Sequence, residues 1–330
     1  LNAFGDLFNY AFSMQGVVPN NEAIVSLALK DFATDTAYIM CLGMVFNIVM
    51  ARFSRMHYIF LTGHHTLYMA CMLAVILNVG GLTSWQLWLG GGLLLGFIMA
   101  FSPAFCQPTM RKITKTDELG FGHFGGAGYW FAAQCGKLFK GKGKSTEEVN
   151  FPQRLTFLRD TTVAIGLTMV IFFLIVTTVA VSKGILSADA AAILEKYPNL
   201  AGLLNVGAET KTHWAVWAIT SGLSFAGGVY IILSGVRLIV GEIVPAFRGI
   251  AEKLVPGAVP AIDCPVVFPY APNAVLIGFL VSFLGGIVGL FILGFIDTNL
   301  MSVALILPGV IPHFFCGATA GVFGNAEGGL

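Results

Sequence analysis

Glu22, the adjacent pair His64 and His65, His123 and Asp263 each lie in or beside an apolar stretch that glycine or proline interrupts. Ionisable groups at the centre of a bilayer cost about 2.5–3.5 kcal/mol on insertion scales, so where they occur they line cavities and mark pathways. The chemistry these residues offer is recognition. A neutral imidazole carries one donor and one acceptor and reads a hydroxyl or enolate oxygen, and a carboxylate accepts from polyol hydroxyls. Each histidine also has a purely structural use, bonding a neighbouring backbone carbonyl. Asp263 has two compatible uses: a ligand acceptor beside the positive end of a half-helix, or the N-cap of that helix. His64 and His65 project about 100° apart if helical, so both chelating one ion is awkward and no metal is expected. His57 and His213 stand at segment ends and read as interfacial, and His313, near a Pro-Gly break, is open.

Other chemistries lack their signatures. There is no GxxxxGK[ST], no GxSxG and no HExxH, so neither ATP chemistry nor a cofactor is expected. Cys41, Cys71, Cys106, Cys135, Cys264 and Cys316 form no CxxC pair and read as small buried hydrophobes.

The elements that must hold these side chains are membrane helices. The chain is 56% hydrophobic and 11% charged, with 40 glycines and 28 phenylalanines; a soluble domain carries about 25% charged residues. A net charge of +1 gives no ground for a nucleic-acid partner. Crossing a hydrocarbon layer takes roughly 20 helical residues. Segments 32–51, 59–79, 85–105, 161–181, 213–235, 274–295 and 300–321 qualify. Residues 254–270, with four prolines and Asp263, predict a re-entrant or discontinuous hairpin, and residues 120–130 a second irregular stretch. Arg52 and Arg55, nine basic residues between Arg111 and Arg159, and Arg237, Arg248 and Lys253 alternate with connections poor in unpaired positive charge, which places the basic ones in the cytoplasm. The run 138–148 reads as a topology determinant, with docking of a soluble partner as its other use.

A weak internal repeat supports a transporter. VPNNEA (18–23) overlays VPAIDC (259–264), FATDTAYIMCLG (32–43) overlays YAPNAVLIGFLV (270–281), and TGHHTLYMAC (62–71) overlays PGVIPHFFCG (308–317), setting Glu22 opposite Asp263. Short apolar strings also align by accident. Transporters built from two repeats place the solute where their broken helices meet. The expected organisation is one membrane-embedded region, with a first repeat at about 17–135, connecting helices at about 160–250 and a second repeat at about 255–325.

LTGHHTLY (61–68), GFGHFGG (120–126), VPGAVPAIDCPVVFPYAPNAV (255–275) and PGVIPHFFCGATAGVFGN (308–325) resemble the IIC permease subunit of the bacterial L-ascorbate phosphotransferase system. The resemblance runs through nearly the whole chain, and family members extend beyond both of its ends, so the sequence reads as trimmed. It implies an all-α polytopic protein of the bacterial cytoplasmic membrane, multi-pass and lipid-embedded, with broken helices and re-entrant hairpins, two repeats, and a core plus a dimerisation (V-motif) domain. It further implies a homodimer working by an elevator-like motion, with a phosphorylated IIB subunit supplying the phosphoryl group, so that the transfer chemistry resides on that partner. Carried over by motif, the L-ascorbate contacts are His64, His65, Thr66, Leu67, Tyr68, His123, Phe124 and Asp263, with Asn21 and Glu22 near the N-terminus. Tyr68 and Phe124 stand where the family has glutamine, and Asn21–Glu22 where it has Thr-Tyr, so a related sugar acid, lactone or polyol fits as well. The competing reading from the residues alone is a proton- or sodium-coupled secondary transporter in which Glu22 and Asp263 carry the protons. An intramembrane enzyme would need a nucleophile or metal cluster that the sequence does not offer.

Overall fold

Long runs of leucine, isoleucine, valine and phenylalanine form helices because, away from water, every backbone N–H must find a carbonyl inside its own segment. The computed structural model describes residues 2–14, 22–139, 144–149, 152–299 and 305–329. Along these residues run α1 (Asn2–Phe12), α2 (Glu22–Asp31), α3 (Ala33–Phe53), β1 (Tyr58–Phe60), α4 (Gly63–Val79), α5 (Ser84–Thr114), β2 (Gly120–Phe121), α6 (Gly126–Leu138), α7 (Thr161–Ser182), α8 (Ala190–Lys196), α9 (Trp214–Leu254), β3 (Val259–Ile262), α10 (Pro272–Asn299) and α11 (Val310–Gly328). Among the described residues α3, α5, α7 and α10 are long and apolar enough to cross a membrane. The protein is an all-α membrane protein, as the sequence predicts, and its described residues include three very short strands that the sequence did not announce.

Four segments differ from their expected extents, and the one expected at 85–105 continues to Thr114. Residues 59–79 are not one helix: β1 occupies the start, the Leu61 amide bonds the Ala261 carbonyl, and α4 begins only at Gly63. At 17 residues α4 is about 26 Å long, short of the ~30 Å hydrocarbon layer. The segment expected at 213–235 continues to Leu254 as a 41-residue helix. The last segment starts at Val310 rather than 300, after Pro308 and Gly309, and Pro312 is tolerated because first-turn amides need no helical partner; residues 300–304 lie outside the described part.

The chain divides into two compact units: Leu1–Asn20 with Phe151–Arg237 and Val281–Phe314, and Asn21–Asn150 with Leu238–Leu280 and Phe315–Leu330. In the first, α1 buries Phe4, Leu7, Phe8 and Ala11. Phe4 meets Phe173 of α7 edge-on at 5.1 Å, and Phe173 meets Trp217 of α9 at 5.8 Å. His313, left open by the sequence, pairs through Nδ1 with the Ser282 hydroxyl at 2.8 Å.

In the second unit α3 lies along α5 at backbone range. A Cβ on Gly96 would stand 2.6 Å from the Gly43 carbonyl oxygen, closer than a methyl group can come. Around this contact Ile39, Ala70, Leu73, Leu87, Leu95 and Met99 form a core with Phe60 of β1. Two polar devices complete the unit. Glu327, sealed at the end of α11, accepts from Thr109 at 3.0 Å and from Lys112 at 2.6 Å. Glu147 accepts the Asn273 and Ala274 amides at 2.9 and 3.0 Å, which satisfies the open N-terminus of α10.

The three strands form one parallel sheet in the order β1-β3-β2. Its register pairs Phe60 with Ala261, Gly120 with Ala261, and Phe121 with Ile262. Pro260 sits in the central strand without breaking it. Val259 donates to the His57 carbonyl and Ala261 accepts from Leu61, both on the β1 side, while Ile262 accepts from Gly122 on the other. The missing Pro260 N–H therefore falls on the flank where β2 has not yet begun. Asn47 of α3 fastens β1, donating to the Tyr58 carbonyl at 3.2 Å and accepting from the Phe60 amide at 3.0 Å.

A Cβ on Gly122 would collide with the Ala261 carbonyl, whereas one on Gly128 of α6 would meet nothing within 4 Å. Gly122→Ala should lower stability by about 1–3 kcal/mol through overpacking of the sheet. Gly128→Ala should be neutral or raise it by up to about 1 kcal/mol through helix propensity. Thermal melting of the two purified variants in detergent checks the pair.

Candidate functional site

The parallel sheet delivers its chemistry at the carboxyl ends of its strands. β1 runs into Thr62, Gly63 and the first turn of α4, which carries His64 and His65; β2 runs through Gly122 into His123; β3 runs into Asp263. The Thr62 hydroxyl donates to the Gly122 carbonyl, bridging the first two exits, and the Ser102 hydroxyl of α5 donates to the His123 carbonyl at 3.1 Å. Gln107 of α5 holds the approach to β2 by donating to the Leu119 carbonyl at 3.2 Å.

Four side chains converge there. The Asp263 carboxylate is buried, at 8% exposure. Its Oδ2 lies 3.3 Å from His64 Nε2, and its Oδ1 lies 3.6 Å from His65 Nε2. The His65 and His123 rings meet at 4.1 Å, close to edge-on, and those of His64 and His65 at 4.3 Å. Two helical neighbours projecting 100° apart were expected to diverge. They converge because the register carries Asp263 alongside Thr62, off the N-terminal end of α4, where both side chains lean toward it. The same position favours a carboxylate, since the open amides of a helix start carry positive potential.

Asp263 is also a cap. Its Oδ1 accepts the Cys264 amide at 2.7 Å and so begins the short 3-10 turn Cys264–Val266. The capping role and the imidazole contacts coexist, each oxygen being engaged.

His123 is buried at 6% exposure, and its tautomer follows from its neighbours. The Gly125 amide donates to Nδ1 at 2.8 Å, so Nδ1 is the unprotonated nitrogen and Nε2 carries the hydrogen. The Tyr129 hydroxyl, 3.1 Å from the same Nδ1 and 3.7 Å from Cys264 Sγ, locks the ring further. The site therefore pairs an acceptor-only carboxylate with an imidazole whose free edge donates. An uncharged hydroxyl suits the first and an electron-rich oxygen the second.

Thr66 is buried and its hydroxyl bonds the Thr62 carbonyl, a local helical bond. Leu67 and Tyr68 are exposed on α4. Phe124 packs on Phe60, ring centres 4.9 Å apart, and joins the α3–α5 core. Asn21 lies outside the described residues; Glu22 opens α2, its side chain outside what the structure describes. Tyr129, Thr62 and Ser102 were not singled out from the sequence. Tyr129 had a readable signal, standing six residues after His123 inside an irregular glycine-rich stretch.

A family model described as "PTS system sugar-specific permease component" (EIIC-GAT) matches residues 1–330. The chain belongs to this family. It is 27% identical over 326 residues to the "Ascorbate-specific PTS system EIIC component" of Mycoplasma pneumoniae, an alignment covering 91% of this chain and 48% of that protein. The chain thus spans about half the length of the curated relative it matches.

In this chain the two uses of Asp263 can be separated by substitution. Asp263→Asn retains an oxygen for the Cys264 amide and should melt within about 1 kcal/mol of the parent. Asp263→Ala leaves that buried amide without a partner and should cost about 1–3 kcal/mol. Melting of both variants in detergent checks the ordering.

Proposed function

We propose that this chain is the solute-translocating part of a phosphotransferase permease for L-ascorbate or a close sugar acid, held multi-pass in the bacterial cytoplasmic membrane. The observation that carries the proposal is the convergence of His64, His65, His123 and Asp263 at the ends of three strands. In a chain of this composition, an ionisable cluster drawn from three distant segments is costly unless a polar passenger uses it. The family match and the ascorbate-specific name of the Mycoplasma relative support the solute class.

L-Ascorbate is a monoanion at neutral pH, so its orientation is constrained. Its side-chain hydroxyls donate to Asp263, and its enolate accepts from imidazole N–H groups, His123 Nε2 first. The reverse pose would set two negative charges together in a poorly screened site. Translocation proceeds by an elevator-like movement of the unit that carries the site, the other unit serving as the dimerisation domain of a homodimer. Supporting this division, all four site residues belong to the unit formed by Asn21–Asn150, Leu238–Leu280 and Phe315–Leu330. A IIB subunit phosphorylated on cysteine then traps the solute by phosphorylation on the cytoplasmic side.

Two measurements test this reading. In membrane vesicles from cells expressing the full-length protein, L-ascorbate uptake should require both phosphoenolpyruvate and the soluble phosphotransferase proteins and should yield a phosphorylated product. Accumulation driven by a proton or sodium gradient alone would instead establish the secondary transporter. By calorimetry, Asp263→Asn should weaken L-ascorbate binding about 10- to 100-fold, the loss of hydrogen bonds to a charged acceptor; unchanged affinity would leave Asp263 only its capping role.

A further inference from the structure

We propose that His64, His65 and Asp263 also form a reversible site for a divalent transition-metal ion of the zinc class. Three ligand atoms of the types such an ion prefers, two imidazole Nε2 atoms and a carboxylate oxygen, lie within 4.8 Å of one another. Two ligands each about 2.0–2.1 Å from a tetrahedral zinc ion stand about 3.4 Å apart. The separations from His64 Nε2 to Oδ2 and from His65 Nε2 to Oδ1, 3.3 and 3.6 Å, are close to that edge, and because they run to the two different carboxylate oxygens, side-chain rotation is what sets both imidazoles and one oxygen around a single ion.

The setting fits a three-ligand open site. The ligands come from the first turn of a helix and the end of a strand, both fixed by the sheet. The His64 side chain is half exposed, at 50%, which leaves a way in and a free coordination position. Asp263 Oδ1 is oriented by the Cys264 amide. Metal-bound histidines usually give their other N–H to a carboxylate or carbonyl that strengthens the site. Among the described residues no such bond is seen for His64 or His65, so the ion should exchange freely rather than reside permanently. The neighbouring combination of His123, Asp263 and Cys264 is a poorer candidate: all three are buried, and the lone pair of His123 Nδ1 already faces the Gly125 amide.

The consequence rests on the proposed solute site, because the ion and the solute would use the same carboxylate and imidazoles. Zinc would then exclude the solute, and the permease would be inhibited by free transition metals.

Titration of the purified full-length protein with zinc chloride in a calorimeter should show one site per chain. The affinity should fall at least tenfold in His64→Gln and in His65→Gln and stay unchanged in His57→Gln and His213→Gln. Cobalt(II) gives a second readout, independent of the variants: a visible spectrum of four- or five-coordinate intensity is expected. Absence of zinc binding, binding indifferent to both His64→Gln and His65→Gln, or a weak six-coordinate cobalt spectrum would each overturn the metal site and leave the solute reading intact. With zinc bound, the apparent Kd for L-ascorbate should rise in proportion to free zinc. If zinc binds as described and L-ascorbate does not bind at all in its absence, the solute reading fails and the metal site stands.

Discussion

A backbone that leaves the helix in an apolar protein must still pair its amides and carbonyls, and everything at this site follows from how that demand is met. The chain breaks at 54–62, 115–125 and 255–271, and each break supplies a few residues of extended backbone to one parallel ladder. Each short strand completes the others' hydrogen bonds; none could persist alone. Because parallel strands all point the same way, their carboxyl ends come together, and whatever residues follow them meet. Here those residues are His64 and His65, His123 and Asp263. Open parallel sheets of soluble proteins place ligands beyond the same strand ends, for the same geometric reason.

The ladder is in turn held by side chains that bond its backbone. Asn47, a lone amide in an apolar helix, spends both its donor and its acceptor on β1. Gly122 lets β2 come close enough to β3 to bond it. Gln107, Ser102 and Thr62 each satisfy a carbonyl at an exit from the sheet. Polar groups of this kind are costly unless paired, and each here pairs with backbone that would otherwise have no partner.

Much of this was legible in the sequence. Charge scarcity and apolar run length gave the membrane class, and of the ionisable residues singled out in glycine- and proline-broken stretches, His64, His65, His123 and Asp263 meet, while the Glu22 side chain lies outside the described part. Two things were not legible. The pairing of segments as far apart as Tyr58 and Val259 leaves no local mark, because strands of two to four residues have too few positions to show an alternating pattern. For that reason residues 59–79 looked like a single span. The convergence of His64 and His65 was also hidden, since their spacing along a helix says where the side chains start and nothing about a partner sitting beyond the helix end. The internal overlay of Glu22 on Asp263 has no structural counterpart to weigh, as residues 15–21 and the Glu22 side chain lie outside the described part.

The proposed function requires that the ends of these three strands receive the solute. A structure of the full-length protein determined by electron microscopy with L-ascorbate bound tests it most directly. The expected map has density in contact with Asp263 and His123 at once, hydroxyls on the carboxylate and the enolate turned to the imidazole. Density elsewhere in the protein, with Asp263 still in contact only with His64, His65 and the Cys264 amide, would contradict it.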